Sequence, residues 1–160
     1  MSAGSLVASG IGVFLLIVTA YVLIGGTLAT TEVMVEAQGN LAAYQEARMR
    51  TAIEIQNVAI INNETLNVEV KNIGGESITA VPLMDVYIND GSLPRYVPYG
   101  QGDGICWNAI EIAPDDIHPG QLDPGETLYI EIISSDEQIE STWIQVVTPN
   151  GVRSSTYIGK

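Results

Sequence analysis

The stretch Leu66-Asn67-Val68-Glu69-Val70-Lys71, with Gly74-Gly75 just beyond it, decides the fold. Its apolar side chains fall on every second residue. An extended chain therefore puts Leu66, Val68 and Val70 on one face and Asn67, Glu69 and Lys71 on the other. Downstream and upstream the same alternation recurs in Ile53–Val58, Val86–Asn89, Ile110-Glu111-Ile112, Leu128–Ile132, Trp143–Val147 and Val152–Ile158. Turn chemistry separates these runs: Asn62-Asn63, Gly74-Gly75, Asn89-Asp90-Gly91, Pro124-Gly125 and Pro149-Asn150-Gly151. Short alternating strands over roughly 110 residues, with no helical period between them, predict an antiparallel β-sandwich. The apolar faces close on a shared core, and the Asn, Glu and Lys faces meet solvent. The chain has a single Cys, so this immunoglobulin-like domain, 51–160, is expected without the disulfide of true immunoglobulin domains. Trp107 and Trp143 are the natural core anchors, with an exposed interface position the alternative for either.

Upstream of the sandwich the period changes. Val33, Ala37, Leu41, Tyr44 and Ala47 recur at four- and three-residue steps among Glu32, Glu36, Gln38, Gln45, Glu46 and Arg48. This predicts a helical stalk over 32–50 with a narrow apolar stripe, weakest at Gly39-Asn40. Further upstream, residues 1–31 hold no Asp, Glu, Lys or Arg, and the run Ile11–Ile24 is almost entirely apolar. As a helix, Leu6–Ala29 reaches roughly 36 Å, enough for a hydrocarbon core of about 30 Å. Residues 1–31 therefore read as a transmembrane helix. A cleaved secretory signal is the rival; it lacks a basic flank before the run and a clear small-residue cleavage site after it. Gly4, Ala8 and Gly12 lie four apart on one helical face, a spacing that lets two membrane helices approach closely.

Charge narrows the partners. The chain of 160 residues carries 19 acidic and 6 basic side chains, a net charge of −13. Such a balance argues against nucleic acid, whose phosphates are gripped by Lys and Arg. It fits a domain held outside the membrane in a salty medium. Asn63-Glu64-Thr65 is an N-glycosylation acceptor triplet, consistent with that placement.

No catalytic constellation emerges. Cys106 would need a base within reach, and the one histidine, His118, stands in a loop before Pro119 with nothing in the sequence to orient it. A small buried side chain is the expectation for Cys106. Asp115, Asp116, Asp123 and Glu126, with Asp90 and Asp103 in other loops, have oxygen ligands of the type calcium takes. They lack EF-hand spacing and are expected to be solvated loop carboxylates. No catalytic, cofactor or metal site is therefore assigned. The segment Ser92–Gly104 is the first choice for a partner surface, because Tyr96 and Tyr99 offer rigid rings with polar tips and Arg95 a hydrogen-bonding fork. The sandwich edges, where a foreign strand could pair, are a second route.

Taken in order, V-x-V-K-N-x-G (Val68–Gly74), D-V-Y-I-N-D-G (Asp85–Gly91), P-G-E-T-L (Pro124–Leu128) and V-V-T-P-N-G-V (Val146–Val152), behind a membrane helix and stalk, resemble the archaeal flagellar (archaellum) protein F family, related to archaellins and to flagellar protein G. The resemblance implies a mainly β chain with an immunoglobulin-like sandwich on a helical stalk, in a layout like that of type IV pilins. It implies a single-pass protein of the archaeal cell membrane with its C-terminal domain outside. It further implies a non-enzymatic part of the static portion of the motor, acting in homo- or hetero-oligomers with a protein G-like partner and holding the surface-layer protein. An archaellin or pilin-like filament subunit is the alternative, since Ser9-Gly10-Ile11-Gly12 also resembles the archaellin N-terminus.

Overall fold

The computed structural model describes residues 3–89, 91, 93–100, 104–135, 139 and 142–158. Among the described residues one α-helix, α1 (Ala3–Arg50, 48 residues), is followed by eight strands. These are β1 (Ile53–Asn62), β2 (Thr65–Asn72), β3 (Asp85–Asn89), β4 (Arg95–Val97), β5 (Ile105–Ala113), β6 (Thr127–Ser134), β7 (Trp143–Val147) and β8 (Arg153–Tyr157). The chain divides into two compact units, Met1–Tyr44 and Gln45–Lys160.

The first unit is helix alone. The apolar side chains described between Leu6 and Ile24 are all exposed, including Phe14 at 65% and Leu16 at 69%. Such a surface is costly in water at about 25 cal/mol per Å² of apolar area, and the helix is long and apolar enough to cross a bilayer. At Gly39-Asn40, the expected weak point of the stalk, the helix runs on without interruption. A single interior Gly costs only about 1 kcal/mol relative to Ala, less than is needed to break a helix of this length. Along the stalk stripe Val33, Leu41 and Tyr44 are exposed, whereas Ala47 in the last turns is half-buried.

The second unit is the sandwich. Its sheets are antiparallel and four-stranded, in the orders β1-β2-β6-β5 and β4-β3-β7-β8. In the first sheet Leu66 pairs with Ile132, Val68 with Ile130 and Val70 with Leu128, so the alternation seen in sequence becomes one continuous inner face. In the second, Val86 pairs with Val97 and Val146, and Ile88 with Ile144. Between the two lies a core in which Trp107, Leu66, Val70, Leu122, Leu128, Ile132 and Ile144 are fully buried. Trp107 is thus a core anchor, while Trp143 is half-buried on the outer side of β7. The corners are fastened by an isolated bridge from Tyr99, just past β4, to Trp107 of β5 and by Ile55 N donating to Ser154 Oγ at 3.2 Å.

Two elements depart from the expected pattern. Ser92–Gly104 contains the short strand β4 rather than only a connection. In β5 the register slips between Ala109 and Glu111, making Ile110 the extra residue of a β-bulge. Ile110 is consequently 58% exposed while Ile112 remains half-buried against the core, although strict alternation would put both on one face.

The last turns of α1 are built into this unit. Thr51 donates through N (3.0 Å) and Oγ1 (2.8 Å) to Ala47 O, and Asn150 Nδ2 in turn donates to Thr51 Oγ1 at 2.6 Å. Gly75 N donates to Arg50 O at 2.8 Å, and Ile73 N and Gly74 N both donate to Ala52 O. At Gly74 a Cβ would stand 2.4 Å from Ala52 N and 2.5 Å from Arg50 O, so no larger residue fits without moving backbone.

Candidate functional site

The two outer faces of the sandwich differ in character. On the β1-β2-β6-β5 sheet, outward positions hold Glu54, Glu69, Glu131 and Glu111 with Lys71, interleaved with Asn57, Asn67 and Asn108, and with Tyr129 and Ile133 from β6. Asn57 Nδ2 donates to Glu69 Oε1 at 3.1 Å. Outward positions of the β4-β3-β7-β8 sheet instead hold Tyr96, Tyr87, Trp143 and Tyr157, with Gln145 and Ser155 between them and Asp85 and Arg153 at one end. Tyr87 and Tyr96 meet at 5.6 Å between ring centroids, tilted by 58°. One face is acidic and the other is aromatic and nearly neutral, in a chain of net charge −13.

The three residues chosen from sequence as a partner surface therefore serve different places. Tyr96 is half exposed on the aromatic face. Arg95 is exposed at the start of β4, opposite Ile88. Tyr99 stands edge-on to Trp107, with centroids 4.7 Å apart and planes at 67°, and is 43% exposed. It closes the core and still shows a face to solvent. Trp107 Nε1, beneath it, is buried without a hydrogen-bond partner among the described residues. Residues 92 and 101–103 of the same segment lie outside the described residues, as does Asp90.

Asn63 is exposed in the turn between β1 and β2, and Thr65 begins β2. Gly4, Ala8 and Gly12 lie on the exposed helix, where a Cβ on Gly4 or Gly12 would meet nothing within 4 Å. Cys106 is buried in β5, as a small apolar residue would be.

The acidic loop corrects the sequence expectation. Asp115 and Asp116 are exposed, but Asp123 and Glu126 are buried, at 1% and 3% exposure. They act as internal acceptors that shape the loop. Asp123 takes hydrogen bonds from Ser77 Oγ at 2.5 Å and His118 N at 3.0 Å, and lies 3.1 Å from His118 Nδ1. Glu126 takes Asp123 N at 2.9 Å. The Ser77 hydrogen bond, aided by those from His118, holds the Asp123 carboxyl below the usual carboxylate range against the opposing effect of burial. His118 is thus oriented after all, by a carboxylate five residues on that local sequence order did not reveal. Among the described residues no three His, Cys, Asp or Glu side chains converge to hold a metal.

No family model matches the chain, and no curated protein does. Solved structures do. The archaellum periplasmic stator protein FlaG from Sulfolobus acidocaldarius aligns with TM-score 0.56 at 24% identity, over 68% of this chain and 99% of that one. A chain of the archaellum periplasmic stator protein complex FlaF and FlaG, from the same organism, aligns with TM-score 0.56 at 23% identity, over 66% of this chain and 87% of that one. The sandwich described above shares its fold with these stator proteins.

Proposed function

We propose that this chain is a non-enzymatic stator component of an archaellum, anchored by α1 in the cell membrane with its sandwich outside. The observation that carries the reading is the pairing of an exposed apolar helix with a sandwich whose fold is that of a protein described as an archaellum periplasmic stator protein. A stator part needs an anchor and surfaces to hold, and no reacting group. The chain offers those two things: a lipid-length apolar helix, and a folded module with one aromatic and one acidic face.

By the same reading the partner is a FlaF- or FlaG-type chain, in accord with the two proteins named together in the matching complex, and the fixed structure gripped is the surface-layer protein. Arg95, Tyr96 and Tyr99 belong to the contact surface, and Gly4, Ala8 and Gly12 to helix pairing in the membrane. Asn63 is a glycan acceptor. Deleting the gene tests the reading: cells should lose swimming while their filament subunit is still made, and wild-type swimming would overturn it. The filament-subunit alternative makes a different demand, namely abundant copies in sheared filaments with an N-terminus beginning after residue 4.

A further inference from the structure

Between the 3₁₀ turn Val81–Leu83 and the bulged strand β5 runs a groove floored by Val81, Pro82, Tyr99, Ile110 and Ile112. Its volume, about 270 Å³, lies just below the ~300–1,000 Å³ of small-molecule sites and suits one or two aliphatic side chains. Glu111 and Asp115 stand at its rim, and Asp116 follows, exposed. Neither Lys nor Arg lines it among the described residues. Asp115 is held in place, both carboxylate oxygens accepting Gly120 N at 3.0 Å.

Three independent features converge here. The bulge turns Ile110 outward, and a bulge at a sheet edge re-aims a side chain. β5 is the last strand of its sheet, and beyond the bridge at Trp107 its outer edge pairs with no strand among the described residues. The rim carries only negative charge beside an apolar floor. We infer that this groove receives an extended segment of a partner protein that alternates apolar residues with Lys or Arg. The segment adds to the free edge of β5, seats an Ile- or Val-sized side chain over Ile110 and Tyr99, and sets its basic side chains against Glu111 and Asp115. An acidic segment is repelled, and a basic segment without apolar residues leaves the floor wet. Tyr99, picked out in sequence as a partner residue, is the wall of this groove. The inference rests on the groove's own chemistry and stands apart from the stator reading.

The test uses the full chain in zwitterionic nanodiscs and three capped, dye-labelled peptides: Lys-Ile-Lys-Val-Lys, Glu-Ile-Glu-Val-Glu and Lys-Ser-Lys-Ser-Lys. Fluorescence anisotropy should show the first binding about tenfold or more tighter than either control, as expected for burying an Ile-sized side chain beside opposite charge. Ile110→Ser, at an exposed position, should remove that advantage without changing the thermal midpoint. Glu111→Lys should weaken binding several-fold more than Glu64→Lys, which alters net charge equally in the β1–β2 turn at the other end of the sheet. Raising salt from about 50 to 500 mM should weaken binding several-fold. No binding of the Lys-Ile peptide, equal binding of either control, indifference to Ile110→Ser, or equal effects of the two charge reversals would each overturn the proposal.

Discussion

Gly74→Ala is the sharpest test of how the end of the helix joins the sandwich. The added Cβ would lie 2.4 Å from Ala52 N and 2.5 Å from Arg50 O, about 1 Å inside ordinary contact, and both obstacles are backbone. To make room, the link between α1 and β1 must part from the Ile73–Gly75 segment. That motion strains the hydrogen bonds from Ile73 N and Gly74 N to Ala52 O and from Gly75 N to Arg50 O. Overpacking costs about 1–3 kcal/mol, and each weakened hydrogen bond adds about 0.5–1.5 kcal/mol. With three such bonds the expected loss is about 2.5–7.5 kcal/mol, which for a domain of this size lowers the thermal midpoint by roughly 10–30 °C. Gly75→Ala is the matched control, because nothing lies within 4 Å of its Cβ. Thermal unfolding of the full chain in nanodiscs, followed by the fluorescence of buried Trp107, reads both. Should Gly74→Ala melt within about 2 °C of wild type, the close approach at this junction is wrong.

Trp107→Ala should cost about 3–5 kcal/mol by emptying the core, whereas Trp107→Phe should cost far less, since it removes an unpartnered buried donor along with the ring area; chemical denaturation measures both. Asn150→Ala should lose about 1–3 kcal/mol, because it strips Thr51 Oγ1 and Thr148 Oγ1 of a shared partner, and the same melts report it. Asp123 has a carboxyl pKa below its ordinary value, so its contribution is complete above the unfolded-state value near pH 3.9 and is lost as the pH falls through the lower folded-state value. The stability advantage of wild type over Asp123→Asn should accordingly shrink as the pH falls from about 5 toward 3; an advantage that grows over that range would refute the assignment. Gly12→Ile should weaken helix pairing in a membrane two-hybrid assay, and an unchanged signal would show that the Gly4–Ala8–Gly12 face packs against nothing.

The parts of the fold legible in sequence were those where one physical signal dominates. The strict alternation of β2 and β6 is visible because both central strands bury one whole face, so any slip would expose Leu66 or Ile132. The apolar helix was legible for a similar reason, since an uncharged run of that length has few other uses. What escaped notice is where tertiary contacts outweigh pattern. β4 is only three residues long and owes its existence to β3 beside it. Ile110 departs from the alternation because a bulge inserts one residue and changes phase, which periodicity does not register. Asp123 and Glu126 resemble solvated carboxylates in sequence. Their burial depends on Ser77, forty-six residues from Asp123, and on backbone donors supplied by the fold.

The charge distribution carries the remaining argument. A chain with 19 carboxylates and 6 basic side chains repels itself, and that repulsion is tolerable where salt screens it over about 10 Å or less. The sandwich does not spread this charge evenly. Its four outward glutamates gather on the β1-β2-β6-β5 sheet, while the opposite sheet shows tyrosines and a tryptophan with one Asp and one Arg at its end. An interface burying the acidic face would need compensating cations for each carboxylate, since an unpaired buried charge is expensive. The aromatic face demands no such partner, and its rings lose little side-chain entropy on contact. The two faces, and the groove at the edge of β5, therefore select different partners by different physics: charge matching at one, ring burial at another, and strand addition with an apolar anchor at the third.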